Sequence, residues 1–310
     1  MTPGGASKGP PGPGVAEIDG RSVKLSNLDK VLYPEAGFTK GEVIDYYARI
    51  APAMLTHCRD RGITMRRYPN GVDAGSFFEK RCPSHRPDWV QVAPGPGDRG
   101  GPIEYCRLVE RASLVWAANL AALEIHAPMA RAGDMETPTM VVFDLDPGPG
   151  AGMTDCAEIG LWIRQALDGL GLSCLAKTSG SKGLQLYLPV NRPGLTHARA
   201  SEFALTVARA MEKHHGDRVV SSMRKDLRAH KVLIDWSQNS RHKTTVCVYS
   251  LRARPRPTVS TPVTWDEVEA AAGGAPLRFE AAEVLDRVEA DGDLFADAAT
   301  LEQELPVPAG

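Results

Sequence analysis

Three short β-rich runs, Met140 to Leu145, Leu184 to Val190 and Val232 to Trp236, are each bounded by Gly, Pro, Ser or Asn and set apart by stretches of helical periodicity. Branched and aromatic side chains in runs of this length suit the pleated surface of a sheet. The helical signals are apolar residues at three- and four-residue spacing: Ile44, Tyr47, Ala51 and Met54; Leu114, Ala118, Ala121 and Ile125; Ile159, Ile163, Ala166 and Leu170; Phe203, Val207 and Met211. This alternation, with no internal repeat, predicts an α/β (α+β) fold in which one central mixed or antiparallel sheet is flanked by helices. The first of these helices starts just after Phe38, because Thr39 followed three residues later by Glu42 makes a capping box and puts Lys40 in the first turn. After Pro262 the chain reads as a short, acidic helical segment with a Pro-containing end.

A chain of 310 residues with 43% apolar and 24% charged residues can bury a full core, which excludes disordered, collagenous and disulfide-scaffold classes. Nine of the first fourteen residues are Gly or Pro. Residues 1–20 are therefore expected as a flexible tail with structure beginning near Val23, 21–300 as one domain and 301–310 as a C-terminal tail. No apolar run reaches the roughly 18 to 20 residues of a membrane-spanning helix. The nearest, Ser113 to Ala130, is interrupted by Asn119, Glu124 and His126. Without a basic stretch leading into an apolar one at the N-terminus, a cytoplasmic location is expected, with no membrane partner. The six cysteines form no CxxC pair and are expected as free buried thiols, with Cys82 and His85 as at most half of a metal site.

The net charge of −2 conceals an uneven distribution. Arg218 to Arg254 holds nine Lys or Arg against two Asp, whereas Asp266 to the end holds twelve Asp or Glu against two Arg. A segment as basic as the first is either a solvated face or a surface for a polyanion.

Four motifs favour the second reading. In Val141-Val142-Phe143-Asp144-Leu145-Asp146-Pro147-Gly148 an apolar strand projects Asp144 and Asp146 from one face. Two carboxylates so placed are either solvated at a strand end or held together by a divalent cation. Lys177-Thr178-Ser179-Gly180-Ser181-Lys182-Gly183-Leu184 is a small-residue turn before a strand, fit for cradling phosphate through backbone N–H groups, hydroxyls and an ammonium, or else a plain hairpin. Lys231-Val232-Leu233-Ile234-Asp235-Trp236 again ends an apolar strand on an acid. Asp235 is then either an ion-pair partner for the basic segment containing Lys243, Arg252 and Arg254 or a third metal ligand. Finally, Arg66-Arg67-Tyr68-Pro69-Asn70-Gly71 leads into Phe77-Phe78-Glu79-Lys80, and cations interleaved with aromatics suit a single-strand or template surface. Neighbours in a strand point to opposite faces, so only one of the two phenylalanines can be buried in a given layer. Three acids from two strands beside a phosphate-binding turn and a basic rim describe metal-assisted phosphoryl or nucleotidyl transfer.

Taken together, LDKVLYP, YPNGVD, FFEK, FDLDPG, TSGSKGL, LIDWSQN, KTT and YSLRARP, in that order from about Leu25 to Phe295, resemble the polymerase domain of bacterial DNA ligase D, a member of the archaeo-eukaryotic primase superfamily. The resemblance implies a primase-type core that adds nucleotides, often ribonucleotides, to 3′-hydroxyl primers at short gaps or double-strand breaks. It implies two Mg²⁺ or Mn²⁺ ions on Asp144, Asp146 and Asp235, and an incoming NTP or dNTP held by Ser179, Lys182, His126, Lys243 and Arg252, with Ser181, Gly183 and Gln185 in the same turn. It further implies that Lys30 and Lys40 grip the 5′-phosphate of the downstream strand, that Phe77 and Phe78 stack on the template, and that Arg228 contacts DNA, with Arg66 on the same aromatic surface. Gapped or broken DNA is the implied substrate, and the end-binding protein Ku and a DNA ligase are the implied partners. No ligase or nuclease segment follows Gly310, which reads as a stand-alone paralogue or an excised domain. Where the family's turn reads SGSKGLHL, this chain has Gln185 in place of histidine, and a glutamine donates without titrating. Two other readings remain: a DNA-end-binding scaffold weakened in catalysis by that change, and an aspartate-nucleophile phosphatase, whose signature FDLDPG matches except for Gly148.

Overall fold

Val141, Phe143 and Leu145 belong to one apolar cluster and Met140 and Val142 to another, so the strand Met140–Pro147 is packed on both faces by alternate side chains. In the computed structural model, which describes residues 14–97 and 101–306, this strand lies inside a six-stranded sheet. Across that sheet the order is Val219–Val220, Val232–Asp235, Met140–Pro147, Leu184–Pro189, Leu175–Thr178 and Pro262–Val263. All neighbouring pairs are antiparallel except the first, which is parallel. The predicted mixed sheet is therefore present. Helices lie against its Val141 face: Met153–Asp168 and His197–His214 bury Ile159, Ile163, Phe203 and Val207, and Trp265–Ala272 adds Val268.

A second sheet accompanies it, where one had been expected. Thr244–Val246, Ala122–Pro128, Thr64–Arg67 and Phe77–Glu79 form four antiparallel strands. Met65, Leu123 and Ile125 of the two interior strands join the cluster containing Met140, Val142 and Tyr187, and the helix Lys40–Cys58 supplies Val43, Tyr47, Ile50 and Met54 to it. Tyr187 of the larger sheet and Thr245 of the smaller share a hydrogen bond of 2.7 Å, so the Met140 face of the larger sheet turns toward the smaller one. Thr39 and Glu42 form the predicted reciprocal cap, with Lys40 as the first helical residue.

Four sequence expectations are corrected. The helix carrying Leu114 and Ala118 ends at Asn119; Ala121 takes φ 57°, and Ala122–Pro128, including Ile125, is a strand. A left-handed alanine reverses the chain, and helical spacing cannot report that. Gly14–Ile18 pairs with Arg21–Leu25, so ordered chain begins within the stretch read as tail, of which residues 1–13 lie outside the described residues. At the other end Gln303 bonds Ser173 and Pro189 through its side chain, which fastens the start of the presumed C-terminal tail to the larger sheet. Cys82 and Cys106 form a disulfide across 24 positions, removing Cys82 from any metal site; Cys58, Cys156, Cys174 and Cys247 are free and buried, as expected. Cys82 reaches its partner because its N–H donates to Glu104 O (2.7 Å) beside the strand Pro102–Cys106, a long-range pairing that no local spacing announces. Among the described residues no helix is long and apolar enough to cross a membrane.

Candidate active site

The register of the larger sheet decides where the acids fall. Asp144 is directly opposite Asp235 on one neighbouring strand and Gln185 on the other, while Gln185 is opposite Lys177. Directly opposed residues share a face with Cα atoms about 4.5–5.5 Å apart, and Asp146, two positions on, shares it too. The three acids therefore converge on one face, the one turned toward the smaller sheet.

Their electrostatics show what this placement costs. Burial pushes the Asp144 carboxyl up to about 7, with the Asp146 and Asp235 charges adding to the rise while the Gln185 hydrogen bond and Lys177 oppose it. Asp146, more open, is also raised, first by burial and then by Asp235. Asp235 is already engaged: its carboxylate accepts from Ser237 N (2.9 Å), Ser237 Oγ (2.6 Å) and Gln238 Nε2 (3.2 Å), and Lys243 Nζ stands 4.0 Å away. Both readings of this acid thus have support, a cationic neighbour and a shared face with two other carboxylates. Among the described residues no group of three His, Cys, Asp or Glu side chains closes into a metal cage. The backbone nonetheless supplies three carboxylates on one face, where burial and mutual repulsion outweigh the nearby Lys177 at Asp144 and Arg228, Arg252 and Lys243 at Asp146. Such hard oxygen donors fit Mg²⁺ or Mn²⁺.

The Ser179–Gly183 turn joins Leu175–Thr178 to Leu184–Pro189 and is a hairpin, one of the two forms anticipated for it. Ser179 Oγ accepts from Ser181 N (3.2 Å) and Gly183 N (3.1 Å), tightening the loop. Gly180 has φ +66°, and a Cβ at Gly183 would stand 2.1 Å from Leu145 O, the carbonyl between the two aspartates. Arg252 donates to Ser179 O (3.0 Å) and Arg254 to Ser181 Oγ, while Lys182 is exposed. Cations thus rim the turn beside the acids.

Glu124 is the residue the sequence reading passed over. Its carboxylate is only 2% exposed and takes His126 Nε2 (2.9 Å), Arg252 Nε (3.3 Å), Arg66 Nη1 (3.6 Å) and Ala253 N (3.1 Å). Burial alone would raise it, but the His126 hydrogen bond, the Arg252 charge and the Ala253 N–H bring it down to about 2. His126 is itself held below its ordinary value, chiefly by burial and also by Arg252 and Arg66, which outweigh its carboxylate partner. Its Nε2 is committed to Glu124. The only sequence signal for this cluster was a carboxylate inside an apolar run, two residues before a histidine.

Phe77 and Phe78 are 46% and 56% exposed, so neither is buried, where strand alternation allowed one to be. Their strand is the edge of the smaller sheet, open on both faces. The Arg67 guanidinium lies 5.2 Å from the Phe77 ring and that of Arg66 5.1 Å from Phe78, which also meets His126 edge-on at 5.6 Å. Lys30 and Lys40 are brought together by Lys40 N donating to Lys30 O (2.8 Å). The Lys40 ammonium donates to Ser26 O (2.7 Å) and is pulled down to about 8 by burial, Lys30 and Arg67; Lys30 donates to Asn70 Oδ1 (3.0 Å). Arg228 belongs to the other side: its loop is tied to the Asp146 strand by His230 N to Pro149 O (2.7 Å) and Gly148 N to Lys231 O (2.8 Å), and its charge acts on Asp146.

An acid-bearing antiparallel sheet with an arginine-rimmed turn beside it is the core of a primase-type polymerase. The chain belongs to the LigD primase-polymerase domain family, whose model matches residues 39–295. It is 45% identical over 276 residues to the multifunctional non-homologous end joining protein LigD of Mycolicibacterium smegmatis, covering 88% of this chain and 36% of that protein. Against the bifunctional LigD of Bacillus subtilis it is 28% identical over 287 residues, with 93% and 46% covered. It therefore spans less than half the length of these relatives. Among solved structures it is similar to the polymerase domain from Mycobacterium tuberculosis ligase D in complex with DNA, with TM-score 0.85, 42% identity, and 91% of this chain and 99% of that one covered.

Proposed function

We propose that this chain is a template-directed nucleotidyltransferase of DNA end joining, extending 3′-hydroxyl primers at short gaps and breaks. The observation that carries the reading is the convergence of Asp144, Asp146 and Asp235 on one sheet face, where burial first and the neighbouring acids next raise Asp144 to about 7. Asp144, Asp146 and Asp235 would hold two Mg²⁺ or Mn²⁺ ions. When bound, such ions favour ionisation of the attacking hydroxyl and offset charge on the departing pyrophosphate. The protein's part is placement. Ser179, Ser181, Lys182 and Gly183, with Lys243, Arg252 and His126, line the place for a triphosphate, and Gln185 bonds Asp144 beside it. Phe77 and Phe78, each backed by an arginine, present ring faces to template bases. Lys30 and Lys40, Arg66 and Arg228 supply phosphate contacts. A ribonucleotide preference, cooperation with Ku and a ligase, and work on chromosomal DNA in the cytoplasm complete the proposal. Membership of the LigD family leaves the phosphatase reading without support.

Asp144→Ala and Asp235→Ala should each reduce extension of a 5′-phosphorylated gapped primer to background with Mn²⁺ present, the fold being checked by circular dichroism. Full extension by either variant would end the proposal. Gln185 keeps one other reading in play: gapped DNA bound by the parent chain without any incorporation would favour a scaffold. Lys30→Ala combined with Lys40→Ala should selectively remove the preference for a 5′-phosphate; equal loss on phosphorylated and unphosphorylated gaps would assign those lysines to general DNA binding.

A further inference from the structure

Lys177 is fully buried in the larger sheet, and its three N–H donors all have acceptors: Gln185 Oε1, Ser260 Oγ (2.7 Å) and Val246 O (3.3 Å). Because Lys177 can only donate, it requires the Gln185 oxygen on its side. The amide nitrogen must then face the other way, and there Gln185 Nε2 donates to Asp144 Oδ1 (3.0 Å). The register sets this up, since Asp235, Asp144, Gln185 and Lys177 are consecutive cross-strand partners in one row over four strands. A buried cation and a buried carboxylate are both costly alone, and here one amide joins them. Glutamine accepts from lysine and donates to aspartate with no change of protonation.

Building on the proposed metal reading, we infer that Lys177 is a positioning residue for Asp144: through Gln185 it fixes one carboxylate oxygen and leaves the other turned to a divalent cation. Isothermal titration with Mn²⁺ alone tests this on the parent chain, Lys177→Met, Gln185→Leu and the double variant, with unfolding midpoints measured in parallel. Each single change should weaken Mn²⁺ binding on the order of tenfold, the range found for groups that orient metal ligands. In the Gln185→Leu background, Lys177→Met should cost nothing further, because the link is already cut. If Lys177→Met does not fold, Ser260→Ala, which removes one ammonium acceptor and keeps the charge, should give a smaller loss in the same direction. Unchanged affinity in Lys177→Met, or in Ser260→Ala where that variant stands in, or losses that add in the double variant, would overturn the link while leaving the metal reading intact. A parent chain that takes up no Mn²⁺ would instead overturn the metal reading and this inference with it.

Discussion

Asp144 and Glu124 are both buried carboxylates on interior strands, one in each sheet, yet their charges are treated in opposite ways. Around Glu124 the protein supplies its own counter-charge, with Arg252 and Arg66 in ion-pair contact and two nitrogen donors besides, and the carboxyl falls to about 2. Around Asp144 it supplies two more acids, one amide and a lysine held off behind that amide, and the carboxyl climbs to about 7. Burial pushes both upward; company decides the result. A carboxylate satisfied internally holds structure together. One that stays raised among others of its kind is the place where the proposed function puts a cation from outside.

Three substitutions or titrations can break this contrast. Glu124→Gln should cost about 3 kcal/mol in a chemical denaturation curve, because it leaves Arg252 and Arg66 facing a neutral group in a buried seam. A loss below about 1 kcal/mol would show that the seam is better hydrated than its burial implies. Acid should reproduce much of this loss. Glu124 is depressed from 4.5 to about 2, so its contribution is complete above about 4.5 and fades as pH falls toward 2. Melts of parent and Glu124→Gln should therefore converge over that interval, and a constant separation between them would refute the assignment. Asp144→Asn should act in the opposite direction, stabilising the metal-free chain by about 1 kcal/mol by easing repulsion while losing Mn²⁺ binding. Since Asp144 is raised from 3.8 to about 7, its own contribution is complete below 3.8 and is lost as pH rises through 7; the gain from asparagine should be larger at pH 8 than at pH 5. A destabilised Asp144→Asn would mean that the three acids do not repel as placed.

The acids were legible because strand alternation alone puts Asp144 and Asp146 on one face, and because Asp235 ends a second apolar run. Glu124 was not, since its role depends on Arg252, 128 positions away along the chain and brought near only by folding. Lys177 opens its motif, but nothing local marks it as buried; its partners come from the register of Leu175–Thr178 and from Ser260. The helix across Leu114 to Ile125 failed at one residue, Ala121, whose left-handed backbone no periodicity encodes. Phe77 and Phe78 were recognised as a pair, and their double exposure followed from an edge position that only the sheet order reveals.

Gly183 has a consequence for the spacing of the whole centre. With no room for even a methyl group between it and Leu145 O, the loop beside the acids rests directly on the peptide that separates Asp144 from Asp146. In the proposed function, the separation between the seat for a triphosphate and the seat for cations would then be a main-chain contact distance, which repacking of neighbouring side chains cannot retune. Gly183→Ala should shift the two seats relative to each other while leaving every polar group of both in place, so that affinity for nucleotide and affinity for Mn²⁺ survive separately and productive alignment does not.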